Sequence, residues 1–332
     1  MKFSTGDEIK FLAHIELGVN LIGGVDTLRA GSRTDSGLLT FEEIEEQDVF
    51  GNRVGYLGVD FGKGGEIHLG KDKGQHYTIA GWTTDRWFAF GGQASLAYPA
   101  LGDGGNTGTG RADEVLNYRV SLGERVDLGV QTQFTNSGND SFVDGFGTSL
   151  VVTVMDGLKF GAAYTEIEVE DLVADEILGA DGDSKYGIVG LNYTSDVLDV
   201  GAVWSTQENG DLRKVAPPPV VGPEIAQVDD ARVPVVFDGD GIEIYVHGKL
   251  DKWGLTGGYI DYDPDTEGLP GLDPNARIKY FIVGADWRLA EGAWVYTEFK
   301  IDDSIGFFGE PSTDVGVVGF KYQFSWEGSH NP

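Results

Sequence analysis

The feature that most constrains this chain is a repeat of two that leaves one face of segment after segment apolar. From Ile9 onward, Ile9, Phe11, Ala13, Ile15, Leu17, Val19 and Leu21 alternate with Lys10, Leu12, His14, Glu16, Gly18 and Asn20. A period of two places successive side chains on opposite faces of an extended backbone, so this stretch reads as one long strand with two unlike faces. The alternation returns in Val126, Leu128, Val130 and Phe134, in Leu198, Val200, Ala202 and Trp204, in Ile242, Ile244 and Val246, and in Val318, Phe320, Tyr322 and Phe324. Runs such as Ser149–Met155 and Tyr280–Ala285 fall far short of the roughly 18 apolar residues a spanning helix needs.

The strands come in hairpins. Tight turns are expected at Leu122-Gly123-Glu124, Met155-Asp156-Gly157, Thr194-Ser195-Asp196, Leu250-Asp251-Lys252 and Leu289-Ala290-Glu291-Gly292, because glycine and aspartate tolerate the backbone such turns demand. Longer polar segments lie between, at 136–145, 168–184, 207–240, 263–276 and 302–312. One end of the fold therefore carries short turns and the other long loops, the asymmetry of transmembrane β-barrels in bacterial outer membranes. The expected strands are 8–22, 52–61, 65–72, 113–122, 124–135, 146–154, 158–168, 185–194, 197–206, 241–250, 252–262, 277–288, 293–302 and 313–325. A weaker pair at 25–32 and 36–46 raises the count from fourteen to sixteen. The expectation is an all-β antiparallel barrel of sixteen strands, or fourteen, forming a single domain over 1–332. Aromatic residues near strand ends, among them Trp204, Trp253, Tyr262, Trp287, Tyr322, Phe324 and Trp326, suit interfacial girdles. A soluble all-β binding protein or adhesin is the rival reading. A propeller would repeat a blade motif, and none is visible.

Composition narrows the function. Acidic residues number 54 against 24 basic ones, a net charge of -30, which repels nucleic-acid phosphates and favours cations as partners. Cysteine is absent, so thiolate metal sites and sulfur redox chemistry are excluded. Met1–Glu8 has no apolar signal core, which fits either a cytosolic protein or a mature chain whose leader was replaced by a start methionine. Signatures of hydrolases, zinc proteases and phosphate-binding loops are missing, so no enzyme activity and no cofactor are expected. Asp263–Gly268 imitates the start of a calcium loop, but Pro274 stands where the bidentate acid belongs. Loosely bound calcium or magnesium among the acidic loops is the remaining metal expectation. His14, His68 and His247 share the polar parity of their strands and are expected to face water.

Residues 73–111 form a segment too long for an idle hairpin loop. Between Asn52 and Lys71, Arg53, the Phe61-Gly62 turn and the Leu69-Gly70-Lys71 strand resemble the hairpin that precedes the inward-folded loop of Gram-negative general porins. Val317–Phe324 is similar to the last porin strand, and strand order and loop sizes extend the likeness over nearly the whole chain. The chain departs from that pattern in continuing past Phe324, in short loops near Gly23 and Gln47, and in having Phe88-Ala89-Phe90-Gly91-Gly92 where those porins have Pro-Glu-Phe-Gly-Gly. The resemblance implies an outer-membrane homotrimer of water-filled channels for small hydrophilic solutes, each narrowed by the inward loop, in contact with membrane lipid and lipopolysaccharide.

Candidate site residues follow from that arrangement. Asp85, Arg86, Asp103 and Arg111 are expected at the constriction. Lys10, Glu16, Arg29, Arg33, Arg53, Arg119, Arg125 and Asp127 are expected on the pore wall, where pairs such as Arg125 with Asp127 or Glu298 with Lys300 are equally open. Trp82, Trp87, Phe88, Phe90 and Tyr98 either pack the loop on the wall or offer stacking faces to a solute such as a sugar or small organic acid. The five long loops hold 23 acidic residues, offset only by Arg213, Lys214 and Arg232, so a preference for cations is expected at that mouth.

Overall fold

A computed structural model describes residues 2–4, 9–19, 50–97, 104–105, 107–134, 143–168, 181–215, 233–269 and 272–323. Among them, one antiparallel sheet runs in sequence order, every strand hydrogen-bonded to the next. The strands are β1 (Lys2–Ser4), β2 (Lys10–Val19), β3 (Phe50–Asp60), β4 (Glu66–Lys73), β5 (Arg111–Leu122), β6 (Val126–Gln133), β7 (Gly145–Met155) and β8 (Leu158–Ile167), then β9 (Ser184–Thr194), β10 (Leu198–Val215), β11 (Val233–Leu250), β12 (Trp253–Pro264), β13 (Ile278–Ala290), β14 (Ala293–Asp302) and β15 (Val315–Tyr322). β1 is a three-residue strand set against the start of β2. The other fourteen are those of the fourteen-strand reading; the weaker pair at 25–32 and 36–46 lies outside the described residues.

The short-turn end forms as the turn residues require. Asp156-Gly157 and Glu291-Gly292 close two-residue hairpins with glycine at φ +78° and +74°, the left-handed backbone that glycine adopts without penalty. Among the described residues, the long-loop end differs from expectation in one place. Residues 207–240 were expected as loop, yet the β10–β11 ladder continues to Val215 and restarts at Val233, with register shifts at Gln207/Gly210 and Gly210/Arg213. The extension is held by packing that alternation does not report: Val235 and Phe237 pack with Leu272, Ala276 and Phe307, and the Phe237 and Phe307 rings stack at 4.8 Å.

Burial is inverted relative to a water-soluble sheet. Large apolar side chains of one parity are exposed, as at Ile15 (75%), Leu57 (68%), Val130, Ile244 and Phe320, while Val200 is half-buried. The polar parity holds Asn117, Gln131, Gln133, Thr165, Ser205, Glu243 and Glu298, all at most 1% exposed. Stacked Trp253 and Trp287 stand exposed near the short-turn end, as an interfacial girdle requires. Tyr262 departs from the girdle expectation: it faces inward, fully buried, its hydroxyl accepting from Gln207 Nε2 at 2.7 Å. Phe324 and Trp326 lie outside the described residues.

What buries the polar face is the segment between β4 and β5. It opens with helix α1 (Gln75–Thr83), which packs on β6 to β10. It continues through Trp87 and Phe88–Gly92, which bond to side chains of β11 and β14. One segment touching so many successive strands on the same face requires the sheet to curl around it, and the interior it partly fills is the lumen.

A charge on the outer face tests this inversion. Replacing Ile244 by Arg is expected to lower stability by roughly 2 to 4 kcal/mol in lipid vesicles, measured by urea unfolding, because no water solvates a cation at mid-height. On a water-exposed surface the same change would stay within about 0.5 kcal/mol.

Candidate functional site

The inward segment is fastened to the wall at three places. At its root the backbone of Gly74 passes so close to the Gly108 carbonyl that a Cβ would collide with it. Gln75 then joins an amide network: its N–H donates to Gln131 Oε1 at 2.7 Å, its Nε2 donates to Asn117 Oδ1 at 2.9 Å, and its Oε1 accepts from Ser149 Oγ at 2.7 Å. Asn117 in turn donates to Asp72 Oδ2 at 3.0 Å. Every member is buried, and a buried amide with its partners in place specifies one geometry, since any displacement strands its donors.

The second fastening is apolar. Ile79 and Ala80 of α1 pack on Val151, Ala163, Ile188 and Val203. The helix comes this close because the wall there is glycine. A Cβ at Gly161 would press on Ile79 and Trp82, one at Gly190 on Ile79 and Thr83, and one at Gly201 on the Thr83 carbonyl. Gly161 and Gly190 are directly paired across β8 and β9, so the flat patch is continuous. Burying Ile79 contributes about 1.5–3 kcal/mol to docking. His76 sits on the same helix, wholly enclosed, its Nε2 2.8 Å from the Ser95 carbonyl. Burial pushes its pKa down to about 4, so the ring stays neutral and Nε2–H donates.

The third fastening uses two wall carboxylates. Glu298 of β14 accepts from the N–H groups of Phe88 (2.8 Å), Ala89 (2.8 Å) and Phe90 (3.1 Å). Glu243 of β11 accepts from Trp87 Nε1 at 2.9 Å and from the Gly92 N–H at 2.8 Å. Trp87 meets Tyr245 edge-on, and Phe88 stacks on Tyr296 at 4.4 Å. The turn thus gains acceptors for N–H groups that no strand pairs.

The expected site residues separate under this geometry. Asp85 is on the inward segment and accepts from the Tyr77 hydroxyl at 2.8 Å. Arg86 reaches Asp199 at 3.7 Å, where Lys249 also binds at 2.9 Å. Arg111 opens β5 opposite Lys73, at the root of the segment rather than at its middle, because the ladder extends two residues beyond the expected strand. On the wall, Lys10 lies 3.9 Å from Asp60, Arg53 binds Glu16 at 2.7 Å, and Arg119 binds Asp72 at 3.0 Å. Arg125 is a correction: it belongs to the exposed turn between β5 and β6, not to a strand. Asp127 accepts from the Ser121 hydroxyl, and Lys300 pairs with Asp302 at 2.6 Å while Glu298 binds the inward segment. Among the aromatics, Trp87 and Phe90 are buried and so offer no face to a solute, whereas Trp82 and Phe88 stay half-exposed. Arg29, Arg33, Tyr98 and Asp103 lie outside the described residues. His68, expected in water, is buried beside Asp72 at 2.9 Å and stacked on Tyr56 at 4.0 Å.

Beneath α1, toward the short-turn end, lies a cavity of about 970 Å³ whose lining includes Asp60, Lys63, Glu66, Arg119, Asp127 and Lys159. Its wall carries both charge signs, as a water-filled passage does. Among the described residues no three His, Asp or Glu side chains converge as a metal site. As anchors, Glu243 and Glu298 were not legible from sequence, where Glu298 stood only as a possible pair with Lys300: an acid of polar parity looks the same whether it meets water or a docked loop.

The model of the family described as Gram-negative porin matches residues 4–306. The chain is a Gram-negative porin. It is 25% identical over 306 residues to outer membrane porin N of Escherichia coli, spanning 82% of this chain and 75% of that protein. It is 24% identical over 298 residues to outer membrane protein F of Serratia marcescens, spanning 82% and 74%. Among solved structures, Salmonella typhi OmpF in complex with daunomycin superposes with a TM-score of 0.71 at 17% identity, covering 98% of this chain and 88% of that one. The anion-selective porin from Comamonas acidovorans gives 0.66 at 13% identity, covering 97% and 87%. These neighbours share the porin β-barrel fold, and the family places this chain in the bacterial outer membrane.

Two perturbations test the anchoring of the porin's inward segment. Glu298→Ala leaves three N–H groups without their acceptor and is expected to weaken docking by about 1–3 kcal/mol for each that stays buried, read as added noise and a larger mean single-channel current. Acid acts through His76. Its neutral docked form has the lower pKa, about 4 against 6.5 for the free side chain. Docking is therefore at full strength above pH 6.5, weakens as pH falls, and levels off below about 4 after a loss of roughly 3 kcal/mol. Reactivity of a cysteine placed at Ala89 is expected to rise over that window, and less so in a His76→Gln background.

Proposed function

We propose that this porin is a passive diffusion channel for small hydrophilic solutes and ions, cation-preferring, assembled as a homotrimer of separate pores. The observation that carries the reading is the combination of an inverted sheet with a segment fixed inside it: lipid-compatible outside, polar inside, and narrowed without being sealed. The cavity beneath α1 and the charged wall around it suit hydrated solutes.

The cation preference rests on the distribution of charge. By sequence the acidic residues concentrate in the segments that join strands at the end opposite the tight turns, and charges within roughly 8–10 Å of an ion path act with little screening at physiological salt. The same acidic rim suits divalent cations bridging to lipopolysaccharide. For the trimer, the support is the family together with a solved relative, OmpT of Vibrio cholerae, described in a trimer form.

Reconstitution in a planar bilayer tests the reading. Conductance is expected in steps of three. In a potassium chloride gradient the reversal potential is expected to indicate potassium preference, modest in molar salt and stronger as the salt is diluted and the Debye length grows. Chloride preference at low salt would overturn it. Deleting Phe88 to Leu101 is expected to raise single-channel conductance, and an unchanged value in a folded variant would remove the constriction role from this segment.

A further inference from the structure

The exposed flank of α1 is aromatic, and the wall facing it is basic. Tyr77, Thr78, Gly81 and Trp82 are all partly open, while Gln75, His76, Ile79, Ala80 and Thr83 of the same helix are buried. Lys73 and Arg119 stand opposite, and these six residues line a slot of about 240 Å³. Thr78, Trp82 and Arg119 also line the 970 Å³ cavity below, so the slot opens on the passage that reaches the short-turn mouth.

Its chemistry is unlike the rest of the chain. In a protein of net charge -30, no carboxylate among the described residues lines the slot. Arg119 is already held by Asp72 and by the Lys73 carbonyl. Lys73 is exposed, with its Nζ 5.3 Å from the centroid of the Tyr77 ring. An ammonium over an aromatic face keeps N–H groups directed away from the ring, where a carboxylate accepts them. The slot is smaller than the about 300–1,000 Å³ typical of sites for drug-sized ligands, and suits one planar ring with one acidic group.

We propose that the slot between Tyr77 and Trp82 on α1 and Lys73 and Arg119 on the wall is a transient binding site for small aromatic carboxylates. The ring lies against Trp82 and Tyr77, and the carboxylate takes a charge-assisted bond from Lys73. This deepens the channel reading and rests on it, making the pore selective for one solute class over other anions of its size. An acidic mouth disfavours anions, so a local well of this kind is what lets them pass at a useful rate.

The test is single-channel current in potassium chloride with sodium benzoate added. Acetate supplies the charge without the ring, and benzyl alcohol the ring without the charge. Benzoate is expected to reduce the current in a saturating manner, and the two controls are expected to leave it unchanged. In Lys73→Gln and in Trp82→Ala, the half-blocking benzoate concentration is expected to rise about tenfold. Conduction of potassium chloride by each variant in the same bilayer shows that it has folded. Absence of conduction by the wild-type protein would defeat the channel reading itself. With conduction intact, a current that falls linearly with benzoate, equal block by acetate, or block unaltered in Lys73→Gln would each overturn the slot.

Discussion

Inside a bilayer a backbone N–H or C=O has no water to bond, and each one left unpaired costs several kcal/mol. The rest of this structure depends on that constraint. It demands an unbroken ladder, which the sequential pairing from β1 to β15 supplies across the described strands. It also decides which parity faces out, because only an apolar face is compatible with hydrocarbon. Polar groups are then collected on the inner face, where they must meet water or one another.

The inward segment exploits this collected polarity. A loop in the lumen brings N–H groups that no strand pairs, and the wall returns acceptors at matching positions: Gln131 at the root, Glu243 and Glu298 at the tip. Buried carboxylates are costly unless hydrogen-bonded, and donors on the loop meet that condition for both. Apolar packing needs a different provision, since a helix can lie flat only where the wall lacks side chains. The run of Gly161, Gly190 and Gly201 across three strands provides it. With α1 on β6 to β10 and the tip on β11 and β14, the segment crowds one side of the lumen. The open cavity beneath α1 is lined from β3 to β8.

Much of this fold is legible in the sequence because alternation and turn chemistry are local. Thirteen alternating positions at Ile9–Leu21 and the glycine turns at Gly123, Gly157 and Gly292 mark strands and hairpins without reference to anything distant. The helix Gln75–Thr83 and the long β10–β11 ladder were not legible, because packing decides them: α1 is held by residues of five strands, and the ladder extension by Leu272 and Phe307, which come from two separate loops. The site was legible in part. Arg119 and Trp82, both singled out from sequence, line the cavity beneath α1, but polar parity alone cannot separate a solvated side chain from an anchoring one. Glu298 shows the difference. Its spacing suggests a pair with Lys300, and its geometry commits it to three backbone N–H groups.

The inward segment departs from the general-porin pattern in a consequential way. Within the described part of the segment between β4 and β5, Asp85 and Arg86 are the charged residues, and each has a local partner, Tyr77 and Asp199 respectively. Where a glutamate stands in the general-porin pattern there is Ala89, whose N–H binds Glu298 of the wall. The described part of the loop therefore presents almost no net charge to the passage. Around the cavity beneath α1, charges of both signs share one wall, where Lys63, Arg119 and Lys159 lie among Asp60, Glu66 and Asp127. A field across the lumen needs opposite signs on opposite sides, and mixed charges on one side largely cancel within a Debye length of about 8–10 Å. Little transverse field is therefore built around this cavity, and the cation preference proposed above rests on the composition of the acidic loops rather than on the described part of the inward segment.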